Sequence, residues 1–524
     1  MLEPNDPQFP IRDMGFAAPD AMHMAPDDRP IKQPTSNILM TLLAWCVIVL
    51  VAGAVFFATM FAGALLTDDT NPDDPIGFLL MKVQAKYGVG ASSISPGNNG
   101  ILFTQLQPAL DMGSIKQRQA FVVFASEMMG SEEASTRLGY LFEDIAAASD
   151  IHGDAFEVTE AQATVNEALL ALYPSVDFED ENYVEEQARV DAVAALTDDQ
   201  RQALVDELGW FGELAMHPVG VDDLAARDAL LSEASKVVIT VVAFVILLCA
   251  IGFFGFAGLI MFLVFLITGR VQSGLKTGRV PHGIYAETFA VWLLIFMGGQ
   301  ILLGFVPASA QMISAVGLFF GSLLALVWPV LRGAQARDVC HDVGLSFGRN
   351  PVMEVLSGLA CYAMALPILA VGLGIMLILV AIQAAFTPAG GEGDIFVPTG
   401  GPAHPIILEI ANGSISARVL ILLLAAVAAP VVEEIMFRGV LYRHLRDASR
   451  SFAVVGSFIV SGLLSSFVFA IVHPQGWIAV PVLMALAMAF CLAREWRDSL
   501  IAPMVVHGTS NGIVMTMMIF LVGA

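Results

Sequence analysis

Long apolar runs alternate with polar segments along most of this chain. They lie near residues 38–66, 237–268, 286–306, 310–331, 354–386, 417–442, 453–472, 477–493 and 501–522. Each reaches the ~17–25 residues that a bilayer-crossing helix needs. The pattern predicts an all-α, polytopic transmembrane helix bundle of about nine spans. Pro329, Pro367, Pro430 and Pro481 fall in or beside these runs. Neighbouring helices can re-satisfy a freed carbonyl, so the prolines do not break the assignment.

Between the first two runs stands one long polar stretch, 67–235. Its second half reads as helical: Thr197-Asp198-Asp199-Gln200 has the form of a capping box, and Leu204, Leu208 and Phe211 follow at helical spacing. Residues 67–110 are rich in Pro, Gly, Asn and Ser and are expected to be irregular. Residues 1–36 have no apolar periodicity and read as a flexible tail. Ala62-Gly63-Ala64 has the look of a cleavage site. The apolar run before it is longer, and starts later, than a signal peptide's, so an uncleaved anchor over 37–66 is expected.

Composition sharpens this picture. The 524 residues are 56% hydrophobic and only 14% charged, with a mean hydropathy of +0.73. Nearly all of the net charge of −24 comes from Thr67 to Ala234, where 31 acidic residues face 8 basic ones. Nucleic-acid binding, which needs a basic surface, is excluded. The five cysteines, Cys46, Cys249, Cys340, Cys361 and Cys491, fit neither a disulfide framework nor a zinc module and are expected to be small core residues.

Arginine and lysine alternate from loop to loop. Arg12, Arg29 and Lys32 precede the first run; Arg270, Lys276 and Arg279 follow the second; Arg332, Arg337 and Arg349 follow the fourth. Arg438, Arg443, Arg446 and Arg450 cluster at the end of the sixth, and Arg494 and Arg497 close the eighth. The positive-inside rule then places the N-terminus in the cytoplasm and the acidic stretch 67–235 outside an inner (plasma) membrane. That stretch is long enough for a mainly helical domain, one that could dock a protein partner. Residues 236–349 supply spans two to four, and 350–524 the remainder.

The chemistry concentrates at the C-terminal end. The sixth run contains Pro430-Val431-Val432-Glu433-Glu434-Ile435-Met436-Phe437-Arg438-Gly439. A carboxylate at mid-span costs ~2.5–3.5 kcal/mol. Glu434 and Arg438 are one helical turn apart and can pair, while Glu433 points about 100° away. The seventh run closes with Phe469-Ala470-Ile471-Val472-His473, and the ninth contains His507-Gly508-Thr509-Ser510-Asn511, whose His507 and Asn511 share a helix face. Taken singly, each has an ordinary explanation: a helix end at the interface, a histidine beside the Pro474-Gln475-Gly476 turn, or interhelical packing glue. One polar cavity shared by the last spans would satisfy them all together. His444 lies among arginines and reads as juxtamembrane.

Glu-Glu-x-x-x-Arg, Phe-x-x-x-His and His-x-x-x-Asn in successive spans resemble the CAAX prenyl endopeptidase and bacteriocin-processing (CPBP) family of intramembrane proteases. Ser465-Ser466-Phe467-Val468-Phe469-Ala470 and Ala502-Pro503-Met504-Val505-Val506-His507 are similar to its other motifs. The resemblance covers the C-terminal 110–170 residues. It implies that Glu433, helped by His473, activates a water; that His507 and Asn511 form an oxyanion hole; and that Glu434, Arg438 and Phe469 support them. It also implies a membrane-associated protein or peptide substrate amid membrane lipid, and no cofactor. Zinc is the alternative, since Glu, two His and Asn could bind it. No His-Glu-x-x-His is present, and no carboxylate is evident to orient a metal-bound histidine, so the metal-free route is preferred.

Two other function classes remain: a non-catalytic scaffold or immunity-type binding protein that keeps the fold, and a transporter. The transporter reading is disfavoured because polar membrane residues are found only in the last quarter. One tension stands in the sequence itself. Counting spans puts Glu433 and His507 toward one membrane face and His473 at the far end of its span. Their meeting requires tilted helices, or an interfacial start to span seven around residues 444–452.

Overall fold

The computed structural model describes residues 35–61, 70–176, 178, 184–220, 223–270, 273–348, 350–386, 395–396 and 406–522. The tail expected over 1–36 and the Ala62-Gly63-Ala64 site lie almost wholly outside them. Of the described residues 83% are helical, and none of them lies in a strand. Nine described helices are long and apolar enough to cross a membrane: Ile38–Met60, Leu224–Ile267, His282–Leu303, Ala310–Leu331, Pro351–Gln383, Ile415–Ala448, Arg450–Ile471, Trp477–Arg497 and Ile501–Val522. These are spans one to nine of a multi-pass membrane protein. Their apolar outer faces are the surface that lipid covers.

The acidic stretch is a helical unit with its own apolar core, including Phe121, Phe124, Leu169, Leu204 and Phe211. The capping box at Thr197 and Gln200 forms as its spacing implied. The expected irregularity of 67–110 does not: Pro75–Ile94 and Asn99–Leu110 are helices. Asp74 caps the first of them through Gly77 N–H at 2.8 Å, and Pro75 occupies the first turn, where no donor is needed. Its glycines are packing sites rather than breakers, since a Cβ on Gly90 would run into the Ala234 backbone.

Ala234 belongs to span two, whose helix is 44 residues, or about 66 Å, long. That exceeds the ~30 Å apolar layer, so the helix starts inside the acidic unit and continues across the membrane. There Lys86, buried in the unit, meets Glu233 at 3.2 Å and lies over the Trp210 ring. Desolvation lowers the Lys86 pKa, opposed by Glu233. Farther along, Gly255 of span two sits against the Ala363 backbone of span five with no room for a side chain.

Span five packs on spans eight and nine, and the unit reaches the C-terminal spans in two places. Leu79 shares a small core with Ile407, Ile410, Ile421 and Val522. Phe396, from the connection between spans five and six, stacks on Phe156 of the unit at 5.8 Å.

Two more expectations need correction, and one residue has a role that its sequence context hides. His444 stands among the arginines near the end of span six. It is buried, accepts from Trp45 Nε1 at 3.1 Å and has its Nδ1 2.8 Å from the His282 carbonyl, tying together spans one, three and six. Polar membrane residues are not confined to the last quarter: Glu287 of span three pairs with Arg332 at 2.9 Å, and Glu354 of span five pairs with Arg497 at 2.7 Å. Each carboxylate finds its cation at a span end, a pairing that linear order hides. Only Cys361 and Cys491 are core cysteines; Cys46, Cys249 and Cys340 lie on outer faces.

Candidate active site

Span six does not end where its apolar run ends. Its helix continues to Ala448, so Glu433 stands mid-helix, about 22 Å from that end. The long span brings Glu433 level with His473 at the far end of span seven, and this removes the separation expected from span counting. On either side of Ala429–Glu434 the helix widens to π geometry, over Leu424–Ala428 and Ile435–Leu441. Such turns free carbonyls, and Pro430 frees another. Asn511 of span nine donates its amide to one of them, Ala425 O, at 2.9 Å. Gly508 makes this approach possible, because a Cβ there would strike the Ala426 carbonyl.

Three side chains from three spans converge. His473 Nε2 lies 3.7 Å and His507 Nε2 3.9 Å from the same oxygen, Oε2 of Glu433. Both rings have a fixed sense, because each Nδ1 faces an acceptor and so donates. His473 Nδ1 donates to the Phe469 carbonyl, and His507 Nδ1 donates to Glu434 Oε1 at 2.9 Å. Glu433 Oε2 is buried and, among the described residues, has no hydrogen-bond partner. The Glu433 side chain is 16% exposed and that of His473 20%, so the cluster is not sealed from small polar molecules. A water donating to Glu433 and to one imidazole would meet the need of both.

Below this cluster Glu434 is fully buried and pairs with Arg438 at 3.0 Å. The expected pairing is present, but Glu434 does not turn away from the cluster, because the oxygen that accepts from Arg438 also holds His507. Arg438 donates on to Ala487 O at 3.1 Å, and its guanidinium lies between the Phe469 and Phe490 rings at 4.7 and 4.6 Å. Phe469 also packs against His473, tilted by 43° at 4.2 Å, and Phe490 stacks on His507 at 4.7 Å. Aromatic faces thus hold the cation and both imidazoles, leaving little freedom to reorient.

Sequence reasoning missed the Glu434–His507 contact and Phe490. Neither carries a local signal, because both arise between spans. The contact also bears on metal chemistry. Glu434 and the Phe469 carbonyl accept from the two imidazoles as groups that orient metal-bound histidines do, acceptors that neither segment reveals alone. Among the described residues, no group of three or more His, Cys, Asp and Glu side chains is placed to hold a metal ion.

Residues 415–513 match the family described as type II CAAX prenyl endopeptidase Rce1-like. The chain is 32% identical over 89 residues to the membrane-embedded CAAX protease MroQ of Staphylococcus aureus (strain USA300), a stretch that is 17% of this chain and 35% of that protein. The chain therefore spans about a third of the length of the curated relative it matches. No solved structure matches it. The resemblance read from the C-terminal motifs is borne out over this segment, which includes Glu433, Glu434, Arg438, Phe469, His473, His507 and Asn511.

Proposed function

We propose that this protein is an intramembrane endopeptidase that hydrolyses a peptide bond in a membrane-associated protein or peptide. The observation that carries the reading is the approach of His473 Nε2 and His507 Nε2 to the unpartnered Oε2 of Glu433, at 3.7 and 3.9 Å. Glu433 takes a proton from a water that His473 helps to orient, and the hydroxide oxygen attacks the carbonyl carbon.

His507 and Asn511 receive the developing oxyanion. This role needs hydrogens on both nitrogens of His507. Glu434 supports that form by accepting from Nδ1, and Arg438 balances the carboxylate charge. Asn511 keeps a second amide hydrogen after serving Ala425. Donors fixed in a dry site are each worth about 10²–10³ in rate. Glu433 then passes its proton to the leaving nitrogen.

The loop charges orient the protein in an inner membrane with its N-terminus in the cytoplasm and the acidic unit outside. In that position the unit can dock a protein partner or present substrate.

The test is terminal-peptide proteomics on membranes holding the wild type or Glu433→Gln, which keeps volume and removes the base. New termini that depend on Glu433 are expected. Identical termini with both proteins would instead favour the non-catalytic scaffold or immunity-type binding protein. A metal-assisted route is the second reading, favoured by the Glu434 and Phe469 acceptors behind the two imidazoles. Glu433, His473 and His507 are not spaced as a metal site here; they would have to draw closer together to hold a zinc ion, which would supply a more acidic bound water. Activity that survives exhaustive chelation counts against it; loss on chelation with recovery on zinc addition overturns the metal-free route.

A further inference from the structure

Below its glutamates, span six carries a second polar series. Glu434, Arg438, Tyr442 and Arg446 recur every four residues, and all are buried. On span seven, Ser457, Ser461 and Ser465 recur in the same way, with Ser466 beside them; the same face continues through Phe469 to His473. Span eight adds Cys491 and Glu495. Three spans therefore turn polar side chains toward one another along about 18 Å of helix.

The half of this column farther from the site is fully paired. Arg446 meets Glu495 at 2.7 Å and Ser457 at 2.6 Å, and the Tyr442 hydroxyl donates to Glu495 at 2.8 Å. The Ser449 hydroxyl lies 2.7 Å from Ser457 and 2.9 Å from Ser461. The half nearer the site is not paired in this way. Ser465 Oγ, Arg438 Nε and Glu434 Oε2 are buried and, among the described residues, meet no hydrogen-bond partner, and Ser466 has only the weak thiol of Cys491 beside it. Cys491 interacts with both Arg438 and Ser466, which brings two of the four together.

Buried polar atoms without partners are rare in folded proteins, and internal water with two to four polar neighbours is the usual way they are satisfied. Three such atoms, with the weakly held Ser466 hydroxyl, lie between the Arg446–Glu495 pair and the carboxylate that holds His507. We infer that this column is a water lane that resupplies the hydrolytic water to the Glu433 site from the Arg446 end. The inference rests on the hydrolase reading above. Each turnover consumes one water: its oxygen bonds to the carbonyl carbon, the C–N bond breaks, and its proton leaves on the amine through Glu433. A substrate strand lying over Glu433 covers the face through which that side chain is exposed, and the lane refills the site from behind.

Small residues can also serve only to let helices approach, and a Thr/Val comparison separates the two roles. Thr and Val have the same shape and differ in the hydroxyl. Full-length protein in lipid vesicles would be subjected to hydroxyl-radical footprinting, read at Cys491, and assayed for Glu433-dependent cleavage. The wild type and the Ser465→Thr/Ser466→Thr variant should label Cys491 and share one kcat. Ser465→Val/Ser466→Val should lose tenfold or more in both labelling and kcat, with KM unchanged. Equal labelling and turnover in the Thr and Val variants overturn the lane. Labelling that falls in the Val variant while kcat holds overturns its role in supply. Thr-selective labelling without any Glu433-dependent cleavage overturns the hydrolase reading, leaving only a wetted column.

Discussion

His507 is held between two adjacent glutamates: its Nδ1 is 2.9 Å from Glu434 and its Nε2 3.9 Å from Glu433. One ring therefore reads both carboxylates of the Glu433-Glu434 pair, and the two should answer differently to the same substitution. Glu433→Gln should lose at least two orders of magnitude in cleavage with little change in thermal stability, because its oxygen gives up no protein hydrogen bond. Glu434→Gln leaves Arg438 buried without its counter-charge, at a cost of about 3–5 kcal/mol. Its melting temperature in detergent should fall together with activity. Equal melting temperatures in the two variants would contradict this division.

Asn511 joins the proposed oxyanion site to the π turn of span six through Ala425. Asn511→Ala removes both functions. It strands a carbonyl in an apolar bundle, costing about 1–3 kcal/mol, and should lower kcat by about 10²–10³. Asn511→Asp turns a donor into an acceptor facing another acceptor, so it should be the less stable of the two. A thermal-shift series with single-turnover cleavage checks the order.

Phe396 is the aromatic residue through which the span five–six connection grips the acidic unit, 5.8 Å from Phe156 and with Arg118 over its ring at 5.6 Å. Phe396→Ala should destabilise the unit by about 3 kcal/mol, the low end for a buried phenylalanine. Limited proteolysis should then cut between spans five and six several-fold faster. Unchanged cleavage rates would mean that the stack does not anchor the connection.

Topology is checked by reporter fusions. One near Asp150 should read as outside and one near Arg446 as inside, as the loop arginines imply. Both on one side would refute the nine-span arrangement.

The spans were legible because each is a long apolar run, and the C-terminal motifs because charge inside such a run is costly. The helix at Pro75–Ile94 was not, since Gly88 and Gly90 resemble loop residues until the Leu106 and Phe124 side chains are seen against the first and the Ala234 backbone against the second. The reach of span six to Ala448 was hidden by its arginines. Arg443 and Arg446 look like a cytoplasmic boundary, yet both are buried against Asp447 and Glu495. The side chains that converge at the candidate site could be named from the sequence, but the Glu434–His507 bond could not, because pairing across spans leaves no trace in either segment alone.

The unbroken helix Leu224–Ile267 has a mechanical meaning. It is a stiff beam, rooted at one end in the acidic unit and bearing on span five at Gly255. Between that bearing point and Leu224 lies about 46 Å of helix. A tilt of roughly ten degrees about Gly255 would swing the far end by about 8 Å, a travel that the contacts of Leu79 and Phe156 with the C-terminal segment resist.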